Sequence, residues 1–331
     1  MSAAPRRTIR SSAPIRACDL GGWTDTWFAG HGAVCSIAVS PLAEVELRAF
    51  SADDKADLLA IGAAGVPGPH PLLEAAVAEI GIPAGLALEI DVTCDAPPGS
   101  STGTSASVAV AVAGAVDALH PLAERRSRQD IATAAHRAEH VRLGRQCGVQ
   151  DQLAAAHGGI NWIEMTSFPT ATVTALAVPA ATRRLLDQHL SVVYLGQPHD
   201  SSSVHEQVIA ELEGSPGSDR LERLRRCAVA GRDALLAGDL AGYGKALIAN
   251  TEAQAALHPS LISPAAHEVI ALATEAGALG WKVNGAGGDG GSVSVLGDGR
   301  ADLGALLRGA GWQLIPIRLS PDGLLVEEVA G

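Results

Sequence analysis

The feature that most constrains this chain is a loop of glycine, serine and threonine between a predicted strand and a predicted helix. The loop reads Pro97-Pro98-Gly99-Ser100-Ser101-Thr102-Gly103-Thr104-Ser105-Ala106-Ser107. Alternating apolar residues predict a strand over 86–93, and small apolar residues predict a helix over 104–119. Free backbone N–H groups and hydroxyls at the positive end of such a helix suit a phosphate group. On local grounds a capped helix after a serine-rich turn explains the loop about as well, and the lysine of a Walker A loop is missing.

Three charged residues are further candidates for a site. Arg16 is a fixed cation near a predicted strand start, and Asp25 follows the glycine pair Gly21-Gly22. A surface salt bridge or a turn cap explains either of them equally well. Asp151 lies in the first turn of a helix predicted to begin near Val149. An acid at that position either complements the helix dipole or stands ready to accept a proton.

Three other patterns are weaker. The run Gly285-Ala286-Gly287-Gly288-Asp289-Gly290 fits G-x-G-x-x-G, but a predicted strand follows it, whereas a dinucleotide-binding fold needs a helix there. The hydroxyls between Ser100 and Ser105 resemble a nucleophile cluster, but their spacing misses G-x-S-x-G. The segment His136-Arg137-Ala138-Glu139-His140 fits the zinc-peptidase pattern H-x-x-E-H. A zinc hydrolase is therefore an alternative, to be weighed against a solvated helix that carries these histidines by chance.

The order of the predicted elements indicates an α+β fold rather than a strict alternation of strands and helices. Strand patterns come first, over 31–50, 86–93, 159–165, 171–178 and 190–195. Long helical patterns dominate beyond residue 200. A length of 331 residues suggests about two domains. We place the boundary in the Pro179–Arg184 region, which gives domains of residues 1–180 and 181–331.

Charge and cysteine usage exclude several classes. The chain has 24 basic and 36 acidic residues, a net charge of −12, so bulk charge gives it no reason to bind nucleic acid or an anionic membrane. Its five cysteines contain no C-x-x-C pair, which disfavours a disulfide framework and indicates reduced thiols in a cytoplasmic protein. The segment Met1 to Arg10 leads into no apolar run, so no signal peptide is predicted.

Three segments, taken in order, resemble the motifs of the GHMP kinase superfamily, which includes galactokinase, homoserine kinase, mevalonate kinase and phosphomevalonate kinase. They are Ala13-Pro14-Ile15-Arg16, the loop from Pro97 to Ala106, and Lys282-Val283-Asn284-Gly285-Ala286-Gly287-Gly288. The segment Gly21-Gly22-Trp23-Thr24-Asp25 is similar to its counterpart in the L-fucokinase and D-glycero-D-manno-heptose-7-phosphate kinase branch, where galactokinases carry Gly-Glu-His-x-Asp. The resemblance covers nearly the whole chain.

This resemblance implies a two-domain GHMP kinase fold with a ribosomal-protein-S5-domain-2-like N-terminal half and a ferredoxin-like C-terminal half. It also implies an ATP:sugar phosphotransferase that uses ATP and Mg²⁺, acts on a small-molecule sugar, often at the anomeric hydroxyl, and is a monomer or homodimer. The alternative within the family is a catalytically silent relative that binds a sugar or a nucleotide and regulates a partner.

The same resemblance implies roles for individual residues. Asp151 corresponds to the catalytic aspartate and Arg16 to its basic partner beside the transferring phosphate. Ser105 and Glu139 correspond to the magnesium ligands. The ATP phosphate loop corresponds to Pro98, Gly99, Ser100, Ser101, Thr102, Gly103, Thr104 and Ser105. The substrate side corresponds to Asp25, Gly22, Gly285, Gly287 and Gly288.

Two residues depart from the family pattern. Asp289 interrupts the glycine run where the family usually has glycine, and a carboxylate there repels phosphate unless it turns outward or meets a cation. His199 stands where the sugar-kinase branch usually has arginine. If that arginine serves an acidic group on the substrate, the substrate of this chain is a different, uncharged sugar.

Overall fold

The structure, a computed structural model, describes residues 4–63, 66–67, 69–196 and 202–329, so His199 lies outside the described residues. The strands are β1 (Arg7–Leu20), β2 (Gly32–Ser51), β3 (Leu59–Ala63), β4 (Val66–Pro67), β5 (Leu86–Cys94), β6 (Ile160–Ser167), β7 (Thr170–Ala175), β8 (Leu190–Tyr194), β9 (Gly280–Val283), β10 (Ser292–Leu296), β11 (Gln313–Ile315) and β12 (Leu325–Val329). The α-helices are α1 (Pro71–Ile80), α2 (Thr104–Asp117), α3 (Arg128–Arg137), α4 (Gln150–His157), α5 (Ala180–His189), α6 (Ser202–Leu212), α7 (Asp219–Ala237), α8 (Leu240–Ala255), α9 (Pro264–Glu275) and α10 (Leu303–Gly309). Among these helices, none is long and apolar enough to cross a membrane.

The first sheet contains eight strands within the described residues. Six of them lie in the order β12-β1-β2-β5-β3-β4, and β6 extends the sheet by pairing with both β2 and β7. All of these pairs are antiparallel except β3 with β5. Helices α1 to α4 contact one another over this sheet, and α2 contacts both β1 and β2.

Helix α2 is the centre of the core between these helices and the first sheet. Its residues from Ala106 to Asp117 are buried except Val108, and most are alanine or valine. Small side chains let a helix approach a sheet closely. The Ser107 hydroxyl accordingly donates a 2.6 Å hydrogen bond to the carbonyl oxygen of Pro14 in β1. This close packing brings the N-terminus of α2 beside the middle of β1.

The second sheet is built from β8 to β11, in the antiparallel order β11-β8-β10-β9. Taken in chain order these strands are first, second, third and fourth, so the spatial order is fourth, first, third, second. Helices separate the first strand from the second and the third from the fourth. This is the βαββαβ arrangement of ferredoxin-like folds, here with several helices in the first connection. The α+β class predicted from the sequence is confirmed.

Some local predictions differ from the structure. The Pro179–Arg184 region, where the sequence places a boundary, forms the N-cap and first half of helix α5, which is not predicted from the sequence. Arg16 does not lie near a strand start, because β1 begins at Arg7. Strand β12, from the range 181–331, pairs with β1 in the first sheet. The division at residue 180 therefore stays a prediction. Residues 181–331 contribute one strand, β12, to the first sheet.

Candidate active site

Arg16 of β1 and Asp151 of α4 form an ion pair that joins the two elements. Arg16 Nε lies 2.9 Å from Asp151 Oδ1 and Arg16 Nη2 lies 3.3 Å from Oδ2, so the guanidinium meets the carboxylate through two hydrogen bonds. Such a planar contact fixes orientation as well as charge. Burial alone would lower the pKa of Arg16, but the carboxylates of Asp151 and Asp19 outweigh burial and raise it. Arg16 is therefore a permanent positive charge.

Gly103 makes room for this pair. It precedes α2 with a φ of +72°, in the left-handed region that favours glycine. A Cβ atom at this position would lie 3.2 Å from Asp151 Cγ and 3.4 Å from Arg16 Cγ. The Arg16 amide donates to Thr102 O (2.9 Å) and its Nη1 donates to Ser101 O (2.5 Å). Arg16 thus holds the predicted phosphate loop through both its backbone and its side chain.

The second sheet braces the same loop. Ser292 Oγ in β10 donates a 2.6 Å hydrogen bond to Ser100 O, and the Tyr194 hydroxyl in β8 donates a 3.1 Å hydrogen bond to Pro98 O. Within the described residues no side chain caps α2 at Gly103. The first-turn amides of α2 therefore offer donors and a positive helix end to an anion.

A cavity of about 700 Å³ opens beside the ion pair, a volume typical of small-molecule sites. The candidate residues that line it are Arg16, Asp25, Ser105, Glu139, Asp151 and Gly285. An aromatic wall is contributed by Trp23, Trp27 and Phe28. The loop residues from Pro98 to Thr104 do not line this cavity. Helix α2 reaches the cavity wall at Ser105.

Asp25 is buried in the cavity wall. Its Oδ2 accepts a 3.0 Å hydrogen bond from the backbone amide of Gln150. A Cβ on Gly148 would lie only 2.0 Å from that same oxygen. Burial raises the pKa of Asp25 to about 6. The hydrogen bond from Gln150 opposes this rise and the charge of Asp151 adds to it. Asp25 thus changes charge in the weakly acidic range.

We expect Asp25 to make the free energy of unfolding fall by about 1 kcal/mol between pH 5 and pH 7. Its folded pKa of about 6 exceeds the unfolded value of 3.8, so the folded state holds the proton more tightly. This stabilisation is complete below the unfolded pKa and is lost as the pH rises through the folded pKa. Urea unfolding of the wild type and Asp25→Asn at each pH measures the difference, because the variant lacks this contribution. Parallel pH profiles for the two proteins would contradict the raised pKa.

Glu139 reaches the cavity from a π-helical segment, Ala138–Arg142, that continues α3. Its Oε2 accepts a 2.9 Å hydrogen bond from Gln152 Nε2, and its Oε1 lies 3.5 Å from Arg145 Nη1. Burial, and then the charge of Asp151, raises the pKa of Glu139. The structure therefore brings both predicted magnesium ligands, Glu139 and Ser105, to one cavity with Asp151.

A buried pair next to the site escapes the sequence analysis. Asp19 has no exposed surface and Lys282 has 1%. Lys282 Nζ lies 3.5 Å from Asp19 Oδ1 and donates a 3.0 Å hydrogen bond to Gln254 Oε1. The Gly285 amide donates to both carboxylate oxygens of Asp19 (3.2 and 3.1 Å), and Arg16 Nη1 lies 3.9 Å from Oδ1. Asp19 thus connects the first and third motif segments.

A β-bulge explains why Asp19 was missed. In a regular strand Arg16 and Asp19 point to opposite faces. The pairing of β1 with β2 shifts register between Ala17 and Leu20, and Cys18 has a φ of +56°. The extra residue turns Asp19 toward Arg16. The glycine pair after Leu20 was the available signal for irregular backbone here.

The remaining glycines of the predicted substrate side do not line the cavity, namely Gly22, Gly287 and Gly288. The Gly288 amide donates a 2.9 Å hydrogen bond to Leu261 O, and a Cβ on Gly287 would lie 2.3 Å from that oxygen. Gly287 and Gly288 allow close contact with the segment at Leu261 instead, whereas a Cβ on Gly22 would lie 2.9 Å from Asp19 Oδ2. Asp289 is exposed, which is the outward orientation that avoids repulsion of phosphate.

The zinc-peptidase pattern does not form a peptidase site. His136 and His140 stack with ring centroids 5.3 Å apart, as expected one helical turn apart. Glu139, however, accepts a hydrogen bond from Gln152 and lines the cavity beside Arg16 and Asp151. The two histidines do not line that cavity. Glu139 and the two histidines therefore lie at different sites, and the zinc-hydrolase alternative gains no support.

Several known proteins are similar to this chain in sequence or in fold. Residues 71–159 match the family model described as GHMP kinases N terminal domain. The chain is 26% identical over 247 residues to a mevalonate kinase of Thermococcus sibiricus, which covers 72% of this chain and 69% of that protein. It is 24% identical over 207 residues to the D-glycero-alpha-D-manno-heptose 7-phosphate kinase of Campylobacter jejuni, covering 62% and 60% respectively. A crystal structure of a D-glycero-D-manno-heptose 1-phosphate kinase from Bacteriodes thetaiotaomicron matches with a TM-score of 0.73 at 20% identity, covering 98% of this chain and 100% of that one.

Proposed function

We propose that this chain, which belongs to the GHMP kinases by its residues 71–159 and by its overall fold, transfers the γ-phosphoryl group of ATP to a hydroxyl of a sugar. The observation that carries the proposal is the ion pair of Arg16 with Asp151 beside the uncapped N-terminus of α2. A proton acceptor, a fixed cation and an anion-binding helix end thus meet at one cavity. Phosphoryl transfer depends on such positioning and charge neutralisation more than on covalent chemistry.

In the proposed step, Asp151 accepts the proton of the acceptor hydroxyl. The hydroxyl oxygen forms a bond to the γ-phosphorus as the bond from that phosphorus to the bridging oxygen of ADP breaks, and ADP leaves. Arg16 orients the Asp151 carboxylate through its two hydrogen bonds and faces the developing negative charge. The first-turn amides of α2 and the loop from Pro98 to Ser105 hold the phosphate oxygens of ATP.

Glu139 and Ser105 fit the magnesium ion that the family resemblance implies. Both line the cavity and offer oxygen atoms, the donor type that Mg²⁺ prefers. The raised pKa of Glu139 reflects its burial near Asp151, and a divalent cation would offset the charge of these carboxylates. The ion, when bound, supplies charge neutralisation at the transferring phosphate.

The acceptor side of the cavity favours a neutral polyhydroxy compound over an acid. Its lining contains four carboxylates, those of Asp25, Glu139, Asp151 and Glu206. Both arginines in the described lining already face carboxylates: Arg16 meets Asp151 at 2.9 Å and Arg145 meets Glu139 at 3.5 Å. A hydroxy acid such as mevalonate would bring its carboxylate into this acidic surrounding, which is costly without a free cation.

The aromatic wall of the cavity matches the apolar faces of a sugar. Trp23, Trp27 and Phe28 all line the cavity. The C–H faces of a monosaccharide pack against an indole ring. These rings support a monosaccharide as the acceptor.

Purified protein with ATP and Mg²⁺ is expected to release ADP when supplied with one or a few members of a panel of neutral monosaccharides. The panel includes L-fucose, D-galactose and D-mannose, with heptose 7-phosphate, mevalonate and homoserine as charged comparators. A coupled assay measures ADP, and ³¹P NMR of the product identifies the phosphorylated hydroxyl. We expect higher kcat/KM for a neutral sugar than for any charged comparator.

The other outcomes separate the alternatives. Turnover of mevalonate with none of any sugar would contradict the sugar assignment while keeping the kinase. ATP binding by calorimetry without turnover of any compound would favour the catalytically silent relative. Location in the cytoplasm and the monomer or homodimer state remain proposals, testable by fractionation and by light scattering.

A further inference from the structure

A second group of metal-binding side chains lies outside the phosphate site. One ring nitrogen of His136, one of His140 and the Sγ atom of Cys147 all lie within 4.8 Å of one another. His136 lies in the last turn of α3, His140 belongs to the π-helical segment, and Cys147 lies in the loop that leads to α4. Two nitrogens and one sulfur form a donor set unlike the oxygen atoms of Ser105 and Glu139.

The histidine rings are oriented to leave a nitrogen free. His140 Nδ1 lies 2.9 Å from the carbonyl oxygen of Arg145. Because a carbonyl only accepts, Nδ1 carries the hydrogen and Nε2 keeps its lone pair. His136 has 4% of its surface exposed, and its Nε2 atom is buried without a hydrogen-bond partner among the described residues. A nitrogen buried in this way is costly unless something binds it.

The surroundings hold the rings in place and keep one side dry. Phe168 packs edge-on against both histidines, with centroid distances of 5.4 Å to His136 and 5.1 Å to His140. Trp27 lies 5.9 Å from the His140 ring. Cys147 is half-buried and lines the cavity beside Arg16 and Asp151, so an ion can reach the cluster from that side. Restricted rings with one open side suit a bound ion that retains an exchangeable ligand.

We propose that His136, His140 and Cys147 bind one zinc ion. Imidazole and thiolate are ligands that Zn²⁺ takes in tetrahedral sites, whereas Mg²⁺ selects oxygen, so the two ions are sorted by donor type. A carbonyl that accepts the second ring N–H, as Arg145 O does for His140, is the usual support for a zinc-binding histidine. Three protein ligands leave a fourth position for water.

The ion would fix the loop between the π-helical segment and α4. That loop carries Arg145, which faces Glu139, and Gly148, which packs on Asp25. Its amide at Val149 donates a 3.2 Å hydrogen bond to Asp25 O. Linking Cys147 to α3 therefore restrains the segment that leads to Asp151, with no step in the phosphoryl transfer assigned to the ion.

Cobalt is the probe, because Co²⁺ occupies such sites and reports a thiolate ligand by a charge-transfer band. Metal-free, reduced protein in excess Mg²⁺ is titrated with Co²⁺ and then with Zn²⁺. We expect one equivalent of Co²⁺ to produce the thiolate band and tetrahedral visible bands, one equivalent of Zn²⁺ to remove them, and Zn²⁺ to raise the thermal midpoint. Cys147→Ser and His140→Gln should weaken Zn²⁺ binding by more than about 100-fold, since even outer-shell changes cost 10–100-fold.

Matched variants separate the site from general thiol or histidine chemistry. Cys94→Ser removes another half-buried cysteine and His267→Gln an exposed histidine, and both should bind Co²⁺ and Zn²⁺ as the wild type does. Circular dichroism establishes that each variant is folded. A wild-type titration without a thiolate band would overturn the proposal, because it would show that Cys147 is not a ligand of the bound Co²⁺. A band that survives Cys147→Ser would overturn it as well.

Discussion

Replacing Asp151 by asparagine is expected to lower kcat about 10²–10⁴-fold, the contribution typical of a general base. Asparagine keeps the shape of aspartate. Its neutral amide cannot take up the hydroxyl proton, and it offers Arg16 no negative charge. The phosphate loop and the N-terminus of α2 are untouched, so we expect the Kd for ATP to change little. ADP release with the best acceptor of the panel gives kcat, and calorimetry gives the Kd.

Asp219→Asn is the matched control for that variant. Asp219 is also an acid in the first turn of a helix, α7, and it is exposed. If Asp151 only complemented the dipole of α4, the two substitutions would have similar, small effects. Wild-type kcat in Asp151→Asn would therefore remove Asp151 from the reaction and leave it as a helix-dipole acid.

Lys282→Met is expected to lower the free energy of unfolding by about 3–5 kcal/mol, the usual cost of removing one partner of a buried ion pair. Methionine fills a similar volume but leaves Asp19, which has no exposed surface, without its 3.5 Å contact to Lys282. Burial lowers the pKa of Lys282, and the charge of Asp19 opposes this. Urea unfolding measures the change.

The double variant Asp19→Asn with Lys282→Met tests whether the loss comes from a buried carboxylate that keeps only Arg16, at 3.9 Å, as its cation. It should be more stable than Lys282→Met alone, because no carboxylate is then left buried without its lysine. Lys245→Met, on the exposed face of α8, is the control and should change the free energy of unfolding by no more than about 0.5 kcal/mol. A Lys282→Met protein as stable as this control would show that the pair contributes nothing.

The sequence predicted the placement of the candidate residues best where residue type and local structure occur together. The loop before α2 was recognisable because glycine, hydroxyls and a small-residue helix occur together, and Gly103 has the positive φ that such a loop requires. Asp151 was recognisable from its place in the first turn of α4. That Arg16 pairs with Asp151 came from the family resemblance, since 135 residues separate them along the chain.

The parts that escaped prediction depend on irregular backbone or on distant packing. The bulge at Cys18 reverses the face of Asp19, which alternation alone cannot indicate. Glu139 and His140 are adjacent on a helical segment, so their side chains diverge by about 100°, with Glu139 at the cavity and His140 at the histidine cluster. Cys147 joins the histidines through a loop, so the pattern H-x-x-E-H indicated two of the three clustered residues.

Strand β12 sets an order in which the protein can be completed during synthesis. Arg7 of β1 and Glu328 of β12 meet in a salt bridge across 321 residues of sequence. The edge of β1 that β12 covers therefore stays open on the ribosome until residues 325–329 have been made. An open strand edge can pair with other chains, and contacts so distant in sequence form slowly. The strand that carries Arg16 is thus made long before the strand that covers its edge, so that edge stays available to other chains through most of the synthesis of residues 7–329.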